Sequence, residues 1–131
     1  MDAQEFIQKD YSYAVVGATI NPHKYGYTVL KDLYDAGFHA VGINPKYQNI
    51  DGIQVYPTFQ DVPGNVDVAV FVVPPDVGLL VLPQVEEKGI KKIWLQPGAE
   101  SDALKQAIQE AGVEMNPVGS CIMVVRRQLK G

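Results

Sequence analysis

The chain has 131 residues, of which 47% are apolar and 20% charged, with a formal net charge of −4 and one cysteine. This ordinary globular composition excludes an intrinsically disordered chain and leads us to expect one domain, residues 1–131. The acidic balance argues against a nucleic-acid surface, and charges or prolines interrupt every apolar run before it reaches a membrane-spanning length. Without a leader-like start, and with only Cys121, we expect a cytoplasmic protein that has no internal disulfide. A protein with this net negative charge can still bind a small anion, because such binding depends on a few local amides and lysines.

Strand-like and helix-like segments alternate along the chain. Short apolar runs rich in β-branched residues are typical of strands that helices cover on both faces. The predicted strands are Tyr13–Val16, His39–Ile43, Val66–Val73, Lys92–Leu95 and Val113–Met115. The predicted helices are Tyr25–Ala36, Asp76–Lys88 and a third that begins at the capping residue Ser101, with a further helical turn in Met1–Gln8. Gly37, Gly89 and Gly112 follow the three longer helices, where glycine permits the left-handed conformation that ends a helix.

This alternation predicts an α/β fold: a Rossmann-like open parallel sheet with helices on both faces. Two segments of the sequence do not fit this alternation of strands and helices. The Pro- and Gly-rich segment Pro45–Asn65 has only a brief apolar patch, so we expect a short edge strand and a loop there. Pro83 lies inside a predicted helix, where it removes a hydrogen bond and should bend the helix.

The loop after the first predicted strand carries small residues and a cation. Gly17, Ala18 and Thr19 begin it, and Lys24-Tyr25-Gly26 lead into the next helix. In an open parallel sheet, ligands bind beyond the carboxyl ends of the strands, and a helix N-terminus there attracts phosphate. The glycines equally fit a loop that only needs a tight turn and close helix–sheet contact.

The loops after the first two strands differ from a dinucleotide site. In the first loop, Thr19 occupies the place of the second glycine of G-x-G-x-x-G; in the second, Asn44-Pro45-Lys46 contains no acid for an NAD ribose. Lys46 instead offers a positive charge for a phosphate, although a simple turn with an exposed lysine would look the same.

The remaining strand-end loops are also unusual. Val73-Pro74-Pro75 is stiff and apolar because proline fixes φ and has no amide hydrogen, so it suits a flat base or an apolar arm. Gln96-Pro97-Gly98-Ala99 follows the fourth strand, and the last loop runs from Gly119 through Cys121 to Met123.

Together, these five motifs resemble the small stand-alone coenzyme A-binding proteins, whose fold is similar to the CoA-binding domain of succinyl-CoA synthetase α-subunits and of ADP-forming acyl-CoA synthetases. The resemblance covers Ser12 to Arg127. It implies that the first loop surrounds the phosphates, that the second holds the 3′-phosphate end, and that the third lines the adenine or the start of the pantetheine arm. It places the fourth and fifth loops toward the thiol. The implied CoA-binding residues are Gly17, Ala18, Thr19, Lys24, Tyr25, Gly26, Asn44, Pro45, Lys46, Val73, Pro74, Pro75, Gln96, Cys121 and Met123.

Three functions remain open from the sequence. The first is a non-catalytic module that binds CoA or an acyl-CoA, and the second is a subunit that supplies CoA to a separate ATP-dependent acyl-CoA ligase. The third is an NAD(P)-binding redox protein, which the missing glycine and acid disfavour. No catalytic triad or metal-ligand spacing stands out, and neither His23 nor His39 matches the phosphorylated histidine of the synthetases. Cys121 fits either a small buried side chain or a reactive thiol.

Overall fold

A computed structural model describes residues 3–117 and 119–129, which form a seven-stranded sheet with four α-helices. The strands are β1 (Ser12–Val16), β2 (His39–Ile43), β3 (Asn49–Ile50), β4 (Ile53–Tyr56), β5 (Val68–Phe71), β6 (Lys92–Leu95) and β7 (Glu114–Met115). The helices are α1 (Tyr25–Asp35), α2 (Pro75–Lys88), α3 (Asp102–Glu110) and α4 (Ile122–Gln128), with 3-10 helices at Ala3–Phe6 and Phe59–Asp61. Met1 and Asp2, part of the predicted N-terminal turn, lie outside the described residues.

The strand order is β3-β4-β2-β1-β5-β6-β7, and all neighbouring pairs are parallel except β3 and β4. Strands β2, β4 and β3 lie on one side of β1, and the chain then crosses to the other side of β1, where β5, β6 and β7 follow in order. The strand order therefore reverses at β1, and loops that follow neighbouring strands diverge there to leave a crevice.

Successive residues of β1 pack on opposite faces of the sheet. Tyr13 and Val15 join the core beneath α1 and α4, whereas Ala14 and Val16 join the core beneath α2 and α3. Helices thus cover both faces, which confirms the predicted Rossmann-like α/β architecture.

The segment Pro45–Asn65 holds more structure than its sequence suggested. It contains a two-stranded hairpin, β3–β4, in which β4 extends the parallel sheet beside β2 and β3 forms the edge. The turn between them is Asp51-Gly52, and both residues have positive φ, as a two-residue hairpin turn of type I′ requires. The expectation of one short edge strand and a loop was therefore incomplete.

Helix α2 continues through Pro83, in agreement with the predicted helix Asp76–Lys88, and Pro83 lies on its exposed side while Leu82 and Val85 are buried. One helix departs from the sequence expectation. The last predicted loop ends earlier than expected, because Ile122 and Met123 form the buried first turn of α4.

Candidate functional site

One cleft of about 740 Å³ lies at the carboxyl edge of the sheet, beside the point where strand order reverses. Loops that follow β1, β2, β5, β6 and β7 all contribute to its wall. Of the residues proposed from the sequence, the cleft is lined by Gly17, Thr19, Lys24, Tyr25, Gly26, Asn44, Lys46, Val73, Pro74, Gln96 and Cys121. The loops after β1 and β2, residues 17–26 and 44–47, form what we term the cationic half. Residues 72–74 and 96–99 together with Cys121 form the neutral half.

Four proposed residues do not line the cleft. Ala18 and Met123 are buried in the core between the sheet and α1 and α4. Pro45 is exposed in the turn after β2, and Pro75 begins helix α2.

The cleft also contains residues that the sequence analysis did not select. These are His23, Tyr47, Val72, Pro97, Gly98 and Ala99. Each lies within three positions of a selected residue in its loop, so extending the motifs by one to three positions would have found them. Tyr47 has the strongest signal of its own, since it is an aromatic residue directly beside Lys46.

Glycines bring α1 into direct contact with the end of β1. Gly17 has φ +92°, and a Cβ built on it would lie 2.3 Å from the Val72 carbonyl oxygen. A Cβ on Gly26 would lie 1.9 Å from the Gly17 carbonyl oxygen. Only glycine fits at these two positions, and the close approach places the N-terminus of α1 over the cleft. Backbone amides and the helix dipole at such a terminus favour a bound anion.

Local hydrogen bonds fold the first loop onto itself. The Thr19 hydroxyl accepts a bond from the Asn21 amide at 3.2 Å, and the Asn21 side-chain oxygen accepts one from the His23 amide at 3.0 Å. The Lys24 amide donates to the Asn21 carbonyl at 3.1 Å. The loop therefore presents Thr19, His23 and Lys24 from an ordered backbone.

The second loop is tied to the first through Asn44, at the end of β2. Its Nδ2 donates to the Ala18 carbonyl at 2.8 Å, and its Oδ1 accepts from the Lys46 amide at 2.9 Å. The hairpin that follows is anchored to α1, because the Tyr27 hydroxyl donates a hydrogen bond to Asp51. This carboxylate raises the pKa of Tyr27 by stabilising its protonated hydroxyl.

The neutral half is organised by the buried side chain of Gln96. Its Oε1 accepts from the Trp94 indole Nε1 at 3.0 Å and from the Ile122 amide at 2.7 Å, at the start of α4. Its Nε2 donates to the Cys121 Sγ at 3.4 Å. Buried polar groups cost free energy unless they are hydrogen-bonded, so these bonds fix both the amide and the thiol beside the cleft.

A second contact holds α4 in place. Arg126 on α4 donates to both carboxylate oxygens of Asp32 on α1, each at 2.8 Å. The Asp32 carboxylate raises the pKa of Arg126. This bidentate pair keeps α4 against α1, and with it the Cys121 end of the cleft.

The cleft is positive although the whole chain is acidic. Among the described residues, its lining includes Lys24, Lys46 and His23 but no aspartate or glutamate. Neither lysine forms an ion pair within the described ranges. Their charges are thus available to an anionic ligand.

Two classes of feature are absent from the part of the chain that the structure describes. No group of three or more His, Cys, Asp or Glu side chains is arranged to hold a metal ion. None of its helices has the length and apolar character needed to cross a bilayer.

Comparison with known proteins finds relatives among acetate–CoA ligases. The chain is 39% identical over 87 residues to an ADP-forming acetate–CoA ligase of Methanocaldococcus jannaschii, and 38% identical over 101 residues to an ADP-forming acetate–CoA ligase I of Archaeoglobus fulgidus. The matches cover 66% and 77% of this chain, but only 12% and 14% of those ligases.

A solved structure extends the similarity to a protein of about the same size. It is a conserved hypothetical protein from Pyrococcus furiosus, with a TM-score of 0.82 and 48% sequence identity, and the match covers 88% of this chain and 98% of that one. The profile of the CoA binding domain family matches residues 11–127, which include every strand of the sheet and every loop that lines the cleft. This chain is therefore a member of the CoA binding domain family.

Proposed function

We propose that residues 1–131 act as one module that binds coenzyme A or an acyl-CoA in the cleft and catalyses no reaction of its own. The observation that carries this proposal is the division of the cleft into a cationic half and a neutral half. CoA has the same division, with its phosphates at one end and an uncharged pantetheine arm at the other.

The cationic half suits the phosphates of CoA. The N-terminus of α1 supplies backbone amides beside Gly17 and Gly26, and Lys24 adds a charge at the same place. Lys46 adds a second charge on the neighbouring loop, where we assign the 3′-phosphate. Charged groups on both loops favour a ligand whose phosphates are spread over two sites, as those of CoA are.

The neutral half suits the adenine and the pantetheine arm. Val73 and Pro74 form an apolar wall, and Gln96 and Cys121 lie further along the sheet edge. The volume of the cleft falls within the range of about 300–1,000 Å³ that is usual for small-molecule sites. We assign the thiol end of the arm to the region of Cys121.

The proposed absence of catalysis rests on how the reactive groups are distributed. His23 and Cys121 are the lining side chains best suited to acid–base or nucleophilic chemistry, and they belong to opposite halves of the cleft. General acid–base catalysis needs such groups within hydrogen-bond reach of one reacting centre. The arrangement therefore supports a binding role.

The relatives favour a second candidate function: a subunit that supplies CoA to a separately encoded ATP-dependent acyl-CoA ligase. The two relatives named above are ADP-forming acetate–CoA ligases, and this chain spans about an eighth of their length. The two candidate functions differ in whether the protein needs a partner: only the ligase subunit would form a complex with a second, catalytic protein. Purification from the source organism should give a stable complex with ligase activity only if the second is correct.

Calorimetry with purified protein tests the main proposal. CoA should bind, and it should bind more tightly than NAD, because this cleft provides a lysine and no acid after β2. NAD binding that equals or exceeds CoA binding would instead support a dinucleotide protein. Mass spectrometry of ligand that co-purifies with the native protein would then distinguish free CoA from an acyl-CoA.

A further inference from the structure

Asn44 lies between the two loops of the cationic half and bonds to both. Its side chain donates to the Ala18 carbonyl on the first loop and accepts from the Lys46 amide on the second. Its backbone amide donates to the Tyr56 carbonyl at 2.9 Å, which attaches it to the end of β4. Each of these bonds is to the protein, although the half-buried side chain also lines the cleft.

These bonds determine the position of the Lys46 backbone relative to the first loop. An asparagine that accepts from the amide two residues later forms a tight local turn, and Pro45 between them has a fixed φ. The Lys46 side chain is exposed and flexible, so the ammonium group stays near the first loop only if its backbone is held there. The bond from Asn44 to Ala18 sets that spacing.

We propose that Asn44 is a positioning residue: it holds Lys46 at a fixed spacing from the first loop, and it raises the affinity for a phosphate-bearing ligand through Lys46. The sequence resemblance instead implied that Asn44 contacts the ligand itself. The inference rests on the proposed binding of CoA, with the 3′-phosphate at Lys46.

A double-mutant cycle tests it, with calorimetry of CoA and of dephospho-CoA, which lacks the 3′-phosphate. Asn44→Ala should weaken CoA by about three- to tenfold, the range of one lost hydrogen bond, and should change dephospho-CoA by less than about twofold. In a Lys46→Ala background, the same substitution should have almost no further effect on CoA, because coupled residues are not additive. Asn44→Ser should restore part of the discrimination, since a serine hydroxyl forms a weaker version of the same turn.

Asn49→Ala provides a matched control. Asn49 also accepts from a nearby amide, that of Gly52 at 2.9 Å, but it lies on the hairpin and does not line the cleft. Its substitution should leave the affinities for both ligands unchanged. Binding of dephospho-CoA by each variant also shows that the cleft is still folded.

Two results would overturn the inference while CoA binding still stands. One is an equal loss of CoA and dephospho-CoA on Asn44→Ala, which would indicate a direct contact or general damage to the loops. The other is an undiminished effect of Asn44→Ala in the Lys46→Ala background. Failure of the wild-type protein to bind CoA at all would instead overturn the proposed function.

Discussion

The two halves of the cleft are built in different ways. The cationic half depends on backbone contact: α1 lies so close to the end of β1 that no side chain fits at Gly26, and the Val72 carbonyl excludes one at Gly17. The neutral half depends on side chains, since Gln96 joins Trp94, Cys121 and the start of α4. Glycine substitutions should therefore destroy the first half, whereas the second should tolerate small changes of backbone and fail when its amide network is cut.

Gly26→Ala should have the largest effect. The added Cβ would overlap the Gly17 carbonyl oxygen, so α1 must move away from β1 at a cost of about 3 kcal/mol, typical of severe overpacking. CoA binding should be lost with it. Urea denaturation and calorimetry measure the two effects.

Gly98→Ala is the corresponding change in the neutral half. Unlike Gly26, Gly98 has a positive φ, at +91°, and nothing lies within 4 Å of the position of a Cβ. We expect a cost of about 1–2 kcal/mol from the backbone conformation alone, with CoA binding retained. If Gly26→Ala and Gly98→Ala lose the same affinity for CoA, the cationic and neutral halves of the cleft do not differ in their dependence on backbone contact.

Lys46→Ala should have the next largest effect, on binding only. Loss of a charge-assisted contact with the 3′-phosphate should weaken CoA by about 1–3 kcal/mol. Dephospho-CoA should be nearly indifferent to the change. If calorimetry gives the same loss for both ligands, Lys46 does not meet the 3′-phosphate.

Tyr13→Phe should change the stability of the protein but not its binding of CoA. Tyr13 lies near the amino end of β1, whereas the cleft lies at the carboxyl ends of the strands. Its hydroxyl donates to the Phe6 carbonyl at 2.8 Å and accepts from the Gln8 amide at 3.0 Å. Near neutral pH, the substitution should lower the free energy of unfolding by about 1 kcal/mol and leave CoA affinity unchanged. A change in affinity would mean that the cleft depends on this distant edge.

The stability difference should also depend on pH. Burial raises the pKa of Tyr13 well above its ordinary value. In the unfolded chain a tyrosine ionises near pH 10, whereas folded Tyr13 stays protonated there, so the unfolded state gains stability as the pH rises past about 10. The contribution of Tyr13 is thus complete below that pH and declines above it. Chemical denaturation of both proteins from about pH 8 to pH 11 should show the difference shrinking.

The sequence predicted the parts of the fold that depend on local pattern. The buried runs of β1, β2, β5 and β6 have few polar residues because helices cover both faces. Since the carboxyl ends of parallel strands meet at one edge, the loops after them could be assigned to one cleft from chain order alone.

The sequence did not predict features that depend on distant partners. Helix α4 has seven residues, and its first amide bonds to Gln96 while Arg126 bonds to Asp32, 94 positions earlier in the chain. Such contacts leave no periodic signal. The hairpin differs, because Asp51-Gly52 between Ile50 and Ile53 is a recognisable turn that the proline- and glycine-rich surroundings concealed.

The last prediction concerns Cys121. Substitution of this residue should have almost no effect on the affinity for CoA, but its thiol should react with CoA disulfide. Its side chain is half-buried at the wall of the cleft, held by Gln96, at the end that we assign to the thiol of the pantetheine arm. When the protein is incubated with CoA disulfide, the Cys121 thiolate should attack one sulfur of the disulfide. A mixed disulfide between Cys121 and CoA then forms, and the other CoA leaves as a thiolate.

Intact-mass measurement should therefore show one added CoA that a reductant removes, and the reaction should accelerate as the pH is raised because it requires a thiolate. Cys121→Ser should abolish the adduct and leave the affinity for CoA nearly unchanged, because serine keeps a small polar group beside Gln96. A wild-type protein that binds CoA yet forms no adduct with excess CoA disulfide would place the thiol of the ligand elsewhere. Cys121 would then be a packing residue, and the neutral half would hold the arm without reaching its sulfur.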